Sequence, residues 1–448
     1  MALLKRAVQL VHRHSSKREE AVERSHPQGG PSEVLQLPLP VSSDFLEKPR
    51  VLSPKKPPID TAGLADIFPY YAGFAFDWAR KQLNELSAGD PRKVVLDPWN
   101  GSGTTTLAAQ CDGHPSFGVD RNPVANLVAQ LRCQVGAQGQ RPFSPQGSVE
   151  PLGGAKDALS NWFAAATVKQ IREWTSSLHG QPLEARVVGL VSLFRVVRMV
   201  TKKFEGTNPT WVKRARTYDE LIEITHADLD SLIAAEQEYL IERLKSSPFG
   251  SGTTTLLTAS SDRLPIGTGS IDVILTSPPY LTRIDYGIAY CRELAVLGVD
   301  VMNSRELRAG LMGTTLIRDK SNHSFKPGVV AEDLIKRVSS HSSKASSGYY
   351  LKQTWQYLRD LSSGFDEMTR VVRPGGNLCM VVQDSYYKDE HVPLADICVD
   401  EARARGWDLV RLEQFPVKRT LTTLNRSARE YKKSQVAESV VTFVRKPA

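Results

Sequence analysis

The sequence predicts an α/β fold with a mostly parallel sheet, interrupted by a helical insertion. Two short apolar runs of the buried-strand type, 93–96 and 115–119, flank a glycine-containing turn and a helical stretch. From about 131 to 249 the apolar spacing becomes helical, which breaks the alternation of strands and helices. Strand-like runs then return at 271–275, 377–382 and 440–444.

Length and composition limit the classes of protein that fit. A chain of 448 residues exceeds one average domain, which predicts a core carrying insertions. The 57 Lys and Arg against 49 Asp and Glu give a net charge of +8, which suits a polyanionic partner and plain solubility equally well. No apolar run reaches the roughly 18 residues of a membrane span. The five cysteines lack paired metal-ligand spacing, so we expect reduced thiols, no metal site and a cytoplasmic protein.

Four regions follow from the changes in composition and periodicity. The first is a basic amphipathic arm that leads into a Pro- and Ser-rich linker. Two halves of a catalytic core surround the helical insertion, and a polar, mobile segment is expected near 303–347. The predicted boundaries are 1–60 for the arm and linker, 61–135 for the first half, 136–250 for the insertion and 251–448 for the second half.

A small-residue turn after the first strand predicts a cofactor site. Gly101 and Gly103 let the backbone approach a ligand, and Asp120, ending the next strand, can accept hydrogen bonds from both ribose hydroxyls. Asp97 opens the turn and suits a methionine ammonium group, which favours S-adenosylmethionine over a nicotinamide cofactor. Neither copy of the repeated Gly-Ser-Gly-Thr-Thr-Thr-Leu has the lysine of a phosphate-binding loop. The second copy, at 250–256, is predicted to be a turn or the start of a strand.

An aromatic patch precedes the first strand and allows two interpretations. Tyr71, Gly73 and Phe74 could lie against the methionine end of the cofactor. Ordinary core packing has equal weight, because aromatic side chains are frequently buried. The helical spacing that follows, from Phe76 to Leu86, is compatible with both.

A Thr-Ser-Pro-Pro-Tyr loop begins at Thr276, directly after a predicted strand, where open α/β sheets bind ligands. Methyl transfer to an amine needs a positioned nitrogen and no covalent nucleophile. The Ser277 oxygen and the Pro278 carbonyl can accept the two amine hydrogens. Pro278 and Pro279 stiffen the loop, while Tyr280 offers a stacking face for a flipped-out base. A plain Pro-Pro turn is the alternative. The chain has no Pro-Cys, the arrangement needed for methylation at a cytosine carbon.

Together these motifs resemble those of S-adenosylmethionine-dependent amino-methyltransferases that act on DNA. Residues 97–105 are similar to the Asp-Pro-Phe-x-Gly-Ser-Gly-Thr cofactor motif, with Trp99 in place of Phe, and 276–280 to the catalytic motif. The resemblance covers about 61–131 and 256–444 and implies a Rossmann-like class I methyltransferase sheet. It implies that the following residues bind S-adenosylmethionine: Asp97, Pro98, Gly101, Gly103, Thr104, Asp120 and, at a shifted spacing, Asp262.

The expected activity is methylation of an exocyclic amine of a flipped-out base in double-stranded DNA. In the resembling family Ser-Pro-Pro-Tyr is more typical of cytosine-N4 enzymes, whereas Asp- or Asn-Pro-Pro-Tyr is more typical of adenine-N6 enzymes. Adenine N6 and an RNA base amine remain alternatives. A nucleic-acid-binding protein without turnover is an alternative of another class. Partners from a restriction or defence system and association with the nucleoid are further expectations.

Target recognition is predicted in the helical insertion and just after the catalytic loop. A basic stretch with an internal tryptophan suits phosphate contact plus stacking or wedging, while a solvated basic face with the tryptophan packed inward has equal weight. The residues concerned are Trp211, Lys213, Arg214 and Arg216. Arg283, Asp285 and Tyr286 could line the base pocket, or Asp285 and Arg283 could form a local ion pair.

Overall fold

The computed structural model describes most of the chain from Gly73 onward. The described residues are 53–54, 64, 67–68, 73–136, 142–144, 157–206, 208, 211–247, 250–281, 284–318, 325–343, 346–388, 390–416 and 436–447. The predicted arm and linker at 1–60 therefore lie outside them, apart from two residues. Tyr71 and Arg283 also lie outside the described residues.

A seven-stranded sheet forms the centre of the molecule, in the order β3-β2-β1-β4-β5-β9-β8. Strands β1 to β5 pair in parallel, whereas β9 runs antiparallel to both β5 and β8. Two further strands, β6 and β7, form a separate hairpin. The strands are β1 (Val95–Asp97), β2 (Ser116–Val119), β3 (Thr254–Leu257), β4 (Ile271–Thr276), β5 (Val372–Gln383), β6 (Ser385–Tyr387), β7 (Glu390–Val392), β8 (Trp407–Pro416) and β9 (Ala437–Arg445). The predicted Rossmann-like α/β class is confirmed.

Helices flank this sheet and build the insertion. They are α1 (Phe76–Leu86), α2 (Thr104–Cys111), α3 (Pro123–Cys133), α4 (Ala165–Leu178), α5 (Leu183–Val200), α6 (His226–Lys245), α7 (Tyr286–Ala289), α8 (Cys291–Val296), α9 (Glu306–Gly310), α10 (Val329–Ser340), α11 (Leu351–Val371) and α12 (Leu394–Arg403). Among the described helices, none has the length and apolar character needed to cross a membrane.

Local sequence explains the elements nearest the site. All six residues of β4 are buried, as expected for a continuous apolar strand with helices on both faces. Helix α3 begins at Pro123, because Asn122 accepts a hydrogen bond from the Val124 amide and proline suits the first helical position. The apolar face of α1 is buried as its spacing predicts. These elements fix where the loops after β1, β2 and β4 emerge.

The insertion contributes α4, α5 and α6, whose apolar faces join one core cluster with α3 and α8. Two of its arginines contact this core. Arg195 binds Glu236 at 2.5 Å, and Arg198 binds the buried Glu293 at 2.6 Å. Both cations therefore join helices within the protein and are not part of an exposed basic surface.

Two other sequence predictions fall on described segments. The second glycine-containing repeat leads into β3, which pairs in parallel with β2 through Ser116 and Thr254, so the predicted start of a strand is confirmed. The 303–347 segment, predicted to be a polar insertion, also contributes apolar residues to the core in its described part. Leu311 and Met312 are buried, and α10 buries one face at three- and four-residue spacing. All five cysteines are free thiols, and only Cys111 is not fully buried.

Candidate active site

A cavity lies where four neighbouring parallel strands end. The loops after β1, β2, β3 and β4 all contribute to it, as expected for ligand binding by an open α/β sheet. A segment that follows α9 and one residue of α11 complete the wall. The lining residues are Pro98, Trp99, Asp120, Arg121, Asn122, Ala259, Ser260, Ser261, Asp262, Ser277, Pro279, Tyr286, Gly310, Leu311, Met312, Arg318 and Asp360.

Asp120 connects the loop after β2 to the glycine turn. Its carboxylate accepts hydrogen bonds from the Gly101 amide at 2.9 Å and from the Asn122 amide at 2.8 Å. Burial raises the pKa of Asp120 to about 6, and these two amide bonds oppose the rise. A carboxylate held in this way, facing the cavity, is suited to accept the hydroxyl hydrogens of a ribose.

The glycine turn has little space for side chains. Gly103 has a φ of 84° and precedes α2, and a Cβ there would lie 2.9 Å from the Cβ of Ala129 on α3. Arg132, which is 2% exposed, donates to both the carbonyl and the hydroxyl of Ser102. The turn is thus fixed by α3. Thr104 begins α2, and neither it nor the two predicted glycines lines the cavity.

Asp97 joins the cofactor loop to the catalytic loop. It is 3% exposed, and Thr276 and Thr105 donate to its two oxygens at 2.6 and 2.7 Å. The Trp99 amide donates to it as well. Burial raises the pKa of Asp97 to about 6 against these hydrogen bonds. Its contact with a methionine ammonium group stays a prediction, because Asp97 does not line the cavity and both oxygens already have partners. Sequence reasoning did not anticipate this connection.

The catalytic loop is held by contacts on both sides. Ser277 lines the cavity, and its hydroxyl lies 3.2 Å from the Tyr280 hydroxyl. The Tyr357 hydroxyl of α11 donates to the Pro279 carbonyl at 2.8 Å, which fixes the second proline. Tyr280 is only 7% exposed and is not part of the cavity wall, so its predicted stacking face stays a prediction. Pro278 is buried in the same loop.

A segment at 310–318 covers the catalytic loop, and we refer to it as the roof segment. Gly310, Leu311, Met312 and Arg318 of this segment line the cavity. Arg121 reaches it from the loop after β2, because a Cβ on Gly310 would lie 2.2 Å from the Arg121 Nε. The guanidinium therefore occupies the place where a side chain would begin, and the contact connects the cofactor side to the roof segment.

Asp285 anchors the roof segment to the chain that follows the catalytic loop. It is 1% exposed and binds the Arg308 guanidinium at 2.9 Å and the Thr315 amide at 3.0 Å. Because Arg283 lies outside the described residues, the alternative of an ion pair between it and Asp285 stays a prediction. Tyr286, the next residue, lines the cavity as anticipated and stacks on Tyr290 at 6.4 Å.

Acidic groups lie at the other end of the cavity. The exposed Asp262 lines it, as does Asp360, whose carboxylate is bound by Arg318. Burial raises the pKa of Asp360, Arg318 opposes the rise, and Asp262 adds to it. The placement of Asp262 agrees with the expectation that it faces a ligand. Arg318 and Asp360 carried no sequence motif, and only the structure reveals them as cavity residues.

The aromatic patch before β1 does not reach the cavity through its described members. Phe74 is 5% exposed and packs on Trp78 with 5.1 Å between ring centroids. Gly73 is exposed, and it does not line the cavity. The packing of Phe74 agrees with the core alternative, and its contact with the cofactor stays a prediction.

The basic stretch of the insertion lies on the surface. Trp211 is 61% exposed, which excludes the alternative in which it packs inward. Lys213, Arg214 and Arg216 are exposed as well. The backbone is nevertheless fixed, because the Trp162 indole donates to the Lys213 carbonyl at 2.8 Å. Phosphate contact by these side chains stays a prediction.

Known proteins with similar sequences provide evidence that is independent of the structure. No family model matches the chain. It is 22% identical to the Type II methyltransferase M.BsoBI of Geobacillus stearothermophilus over 405 residues, covering 77% of this chain and 78% of that protein. It is 20% identical to the Type II methyltransferase M.AvaI of Nostoc over 388 residues, covering 78% of this chain and 80% of that protein. This similarity to two Type II methyltransferases, over more than three quarters of each chain, agrees with the resemblance that the sequence motifs carry.

A solved methyltransferase of Methanosarcina mazei is 8% identical, covers 80% of this chain and 95% of its own, and superposes with a TM-score of 0.28. The Rossmann-like α/β fold follows from the strand order of the central sheet. The polar lining of the cavity is compatible with S-adenosylmethionine as the cofactor. Asp120 faces the cavity beside the glycine turn, and Ser277 lies in the same wall.

Proposed function

We propose that this protein is a methyltransferase that methylates an exocyclic amine of a base in double-stranded DNA, with cytosine N4 preferred over adenine N6. The observation that carries the proposal is the hydrogen bonding of Asp97 to Thr276, which holds the Ser-Pro-Pro-Tyr loop against the cofactor loop. A flipped-out base is required, because an amine inside a duplex cannot reach a loop at the strand ends. The names of the Type II relatives suggest a restriction-modification partner.

The chain's own residues position the reaction. S-adenosylmethionine, held by Asp120 beside the glycine turn, would supply an electrophilic methyl group to the amine nitrogen. We assign to the Ser277 hydroxyl the role of accepting one amine hydrogen, which turns the nitrogen lone pair toward the methyl group. The hydroxyl pair of Ser277 and Tyr280, 3.2 Å apart, keeps the serine oxygen oriented. The Tyr357 bond to Pro279 limits movement of the loop.

The first test replaces residues of the catalytic loop. Ser277→Ala and Tyr280→Phe should lower the methylation rate by about 100-fold or more while leaving the Kd for S-adenosylmethionine unchanged, since loss of one oriented polar group commonly costs this much. Ser261→Ala, another serine hydroxyl of the cavity wall, serves as the matched control and should retain the rate. Full activity in both loop variants would contradict the assigned chemistry.

Mass spectrometry of nucleosides from treated DNA identifies the product. N4-methylcytosine supports the finer proposal, whereas N6-methyladenine would overturn the cytosine preference and retain the reaction type. Methylation of RNA but not DNA would overturn the substrate class. Absence of S-adenosylmethionine binding in calorimetry would favour a binding protein without turnover.

We also propose that the insertion contacts DNA phosphates through Lys213, Arg214 and Arg216, with Trp211 stacking or wedging. All four side chains are exposed on a backbone that the core fixes. Replacing the three cations by glutamine should weaken duplex binding and make its salt dependence shallower by about three units, roughly one per contact. An unchanged salt dependence would show that these three side chains do not contact DNA phosphates.

A further inference from the structure

Helix α11 carries an exposed stripe of two cations around a tryptophan. Lys352, Trp355 and Arg359 are spaced by three and four residues, which places them on one face of the helix. Lys352 is exposed, Trp355 is 37% exposed and the Arg359 side chain is 32% exposed. The apolar residues of the same helix are largely buried in the core. The Trp355 ring meets the Phe325 ring edge-on with 6.3 Å between centroids, and its exposed part lies between the two cations.

The stripe lies next to the cavity. Asp360, the residue after Arg359, belongs to the cavity wall. Gln356, the residue after Trp355, holds the roof segment by donating to the Leu316 carbonyl at 3.0 Å and accepting from the Arg318 amide at 2.8 Å. One side of α11 thus supports the site, while the stripe faces solvent beside it.

Two more exposed side chains attach to the roof segment. Tyr349 is 39% exposed, and its hydroxyl donates to the Thr315 carbonyl at 2.6 Å. It belongs to a short π-helix before α11, a rare turn that occurs frequently at functional sites. The exposed Arg305 donates to the Ile317 carbonyl at 3.2 Å. We call the set Arg305, Tyr349, Lys352, Trp355 and Arg359 the α11 surface.

The charge of the α11 surface is positive. It has three cations, and the carboxylate nearest to Arg359 is Asp360, at 3.7 Å. The Asp360 carboxylate also binds Arg318, so two cations share its single negative charge. Cations interleaved with aromatic rings suit a polyanion that also has flat groups to stack on, because the cations bind phosphates and the rings bind sugars or bases.

We propose that the α11 surface contacts the phosphates of double-stranded DNA next to the flipped base, with Trp355 stacking on an adjacent sugar or base. The inference rests on the proposed function, and it adds a contact separate in sequence from the basic stretch at 211–216. Lys352 and Arg359 bind the backbone on the α11 side of the cavity. They act on DNA affinity and leave the methyl-transfer step itself unchanged.

The experiment compares two charge-matched double variants of the full-length protein. Lys352→Gln with Arg359→Gln should raise the Kd for a duplex about tenfold and make the plot of log Kd against log salt shallower by about two units, since each phosphate contact contributes roughly 0.9. The control, Lys81→Gln with Arg92→Gln, removes the same charge from exposed residues that precede β1, whereas the cavity lies beyond the carboxyl end of that strand. It should leave the slope unchanged. Trp355→Ala should weaken binding without changing the slope, and Trp355→Phe should restore part of the affinity.

The outcomes separate this inference from the proposed function. If the wild-type protein methylates DNA but the α11 variant has the slope and Kd of the control, the α11 surface is not a DNA contact. If both double variants lose affinity equally, net charge and not this surface is responsible, and the inference is overturned. A change of mass in light scattering with unchanged DNA binding would assign the surface to contact between copies, which also overturns it. If the wild-type protein neither binds nor methylates DNA, the proposed function itself fails.

Discussion

The two sides of the cavity are built in different ways. On the cofactor side, the residues from Asp97 to Asp120 belong to one strand-turn-helix-strand unit, and neighbouring backbone amides hold Asp120. On the roof side, residues 285–360 come together through bonds between distant segments, such as those of Asp285 and Gln356 to the roof segment. The geometry of a unit built from consecutive residues is held by contacts among those residues. The roof segment is held by polar contacts between residues far apart in sequence. A single substitution should therefore disturb one side of the cavity and leave the other side intact.

The largest effect is expected from Asp97, which joins the cofactor side to the catalytic loop. Asp97→Ala leaves the Thr276 hydroxyl and the Trp99 amide without their acceptor in a buried place, whereas the Thr105 hydroxyl loses Asp97 but keeps the Leu275 carbonyl at 3.0 Å. Each orphaned buried group costs about 1–3 kcal/mol, so the free energy of unfolding should fall by several kcal/mol in urea titration. Thr105→Val, which removes one of these bonds, is the graded control and should lose less. Equal stability of wild type and Asp97→Ala would contradict the connection.

The contact between Arg121 and Gly310 is the next most sensitive feature. Gly310→Ala should displace the Arg121 guanidinium, because the new Cβ would lie 2.2 Å from its Nε, and overpacking of this kind costs about 1–3 kcal/mol. In an Arg121→Ala background the same change should be nearly neutral. The coupling energy of this double-mutant cycle, measured by unfolding, should therefore be about 1 kcal/mol or more. Additive effects would show that the two residues do not touch.

Protonation of Asp120 tests the cofactor side alone. Since burial raises its pKa to about 6, affinity for S-adenosylmethionine should fall as the pH drops through about 6, because a protonated carboxyl is a poorer acceptor for ribose hydroxyls. Asp120→Asn should bind weakly and lose this part of the pH dependence in calorimetry. The folded state holds this proton more tightly than the unfolded chain, so the stability from Asp120 decreases as the pH rises from about 4 to about 6. A pH-independent Kd in the wild type would contradict the role.

The smallest effect is expected at the start of α3. Asn122→Ala removes the side-chain cap on the Val124 amide and should cost about 1 kcal/mol of unfolding free energy. Asn122→Asp keeps an acceptor at this position and should retain most of the stability. Because α3 supports the glycine turn, the alanine variant should weaken cofactor binding slightly and leave DNA affinity unchanged. A larger loss of DNA affinity than of cofactor affinity would show that α3 does not act on the cofactor side alone.

The same contrast explains what could be predicted from sequence. The parallel sheet and the cavity positions of Asp120 and Ser277 follow from patterns within a few residues of a strand end. Arg121, Arg318 and Asp360 could not be found in that way, because nothing in the local sequence marks which distant segments come together. Phe74 was ambiguous for a related reason, since burial in the core and contact with a ligand both select aromatic side chains. Trp211 could be assigned to the surface only once the packing around it was known.

The position of the insertion also affects how the chain assembles. Strand β3 lies at the edge of the sheet, and its pairing with β2 joins residues that the whole insertion separates, from Val119 to Thr254. Closing so long a loop costs conformational entropy before the pairing of β2 with β3 contributes any stabilisation, and this slows folding. Helices α4, α5 and α6 form through local contacts and shorten the effective span. We expect β3 to dock late, after the insertion has collapsed, and refolding after denaturant dilution to show helix formation before protection of the β3 amides from hydrogen exchange.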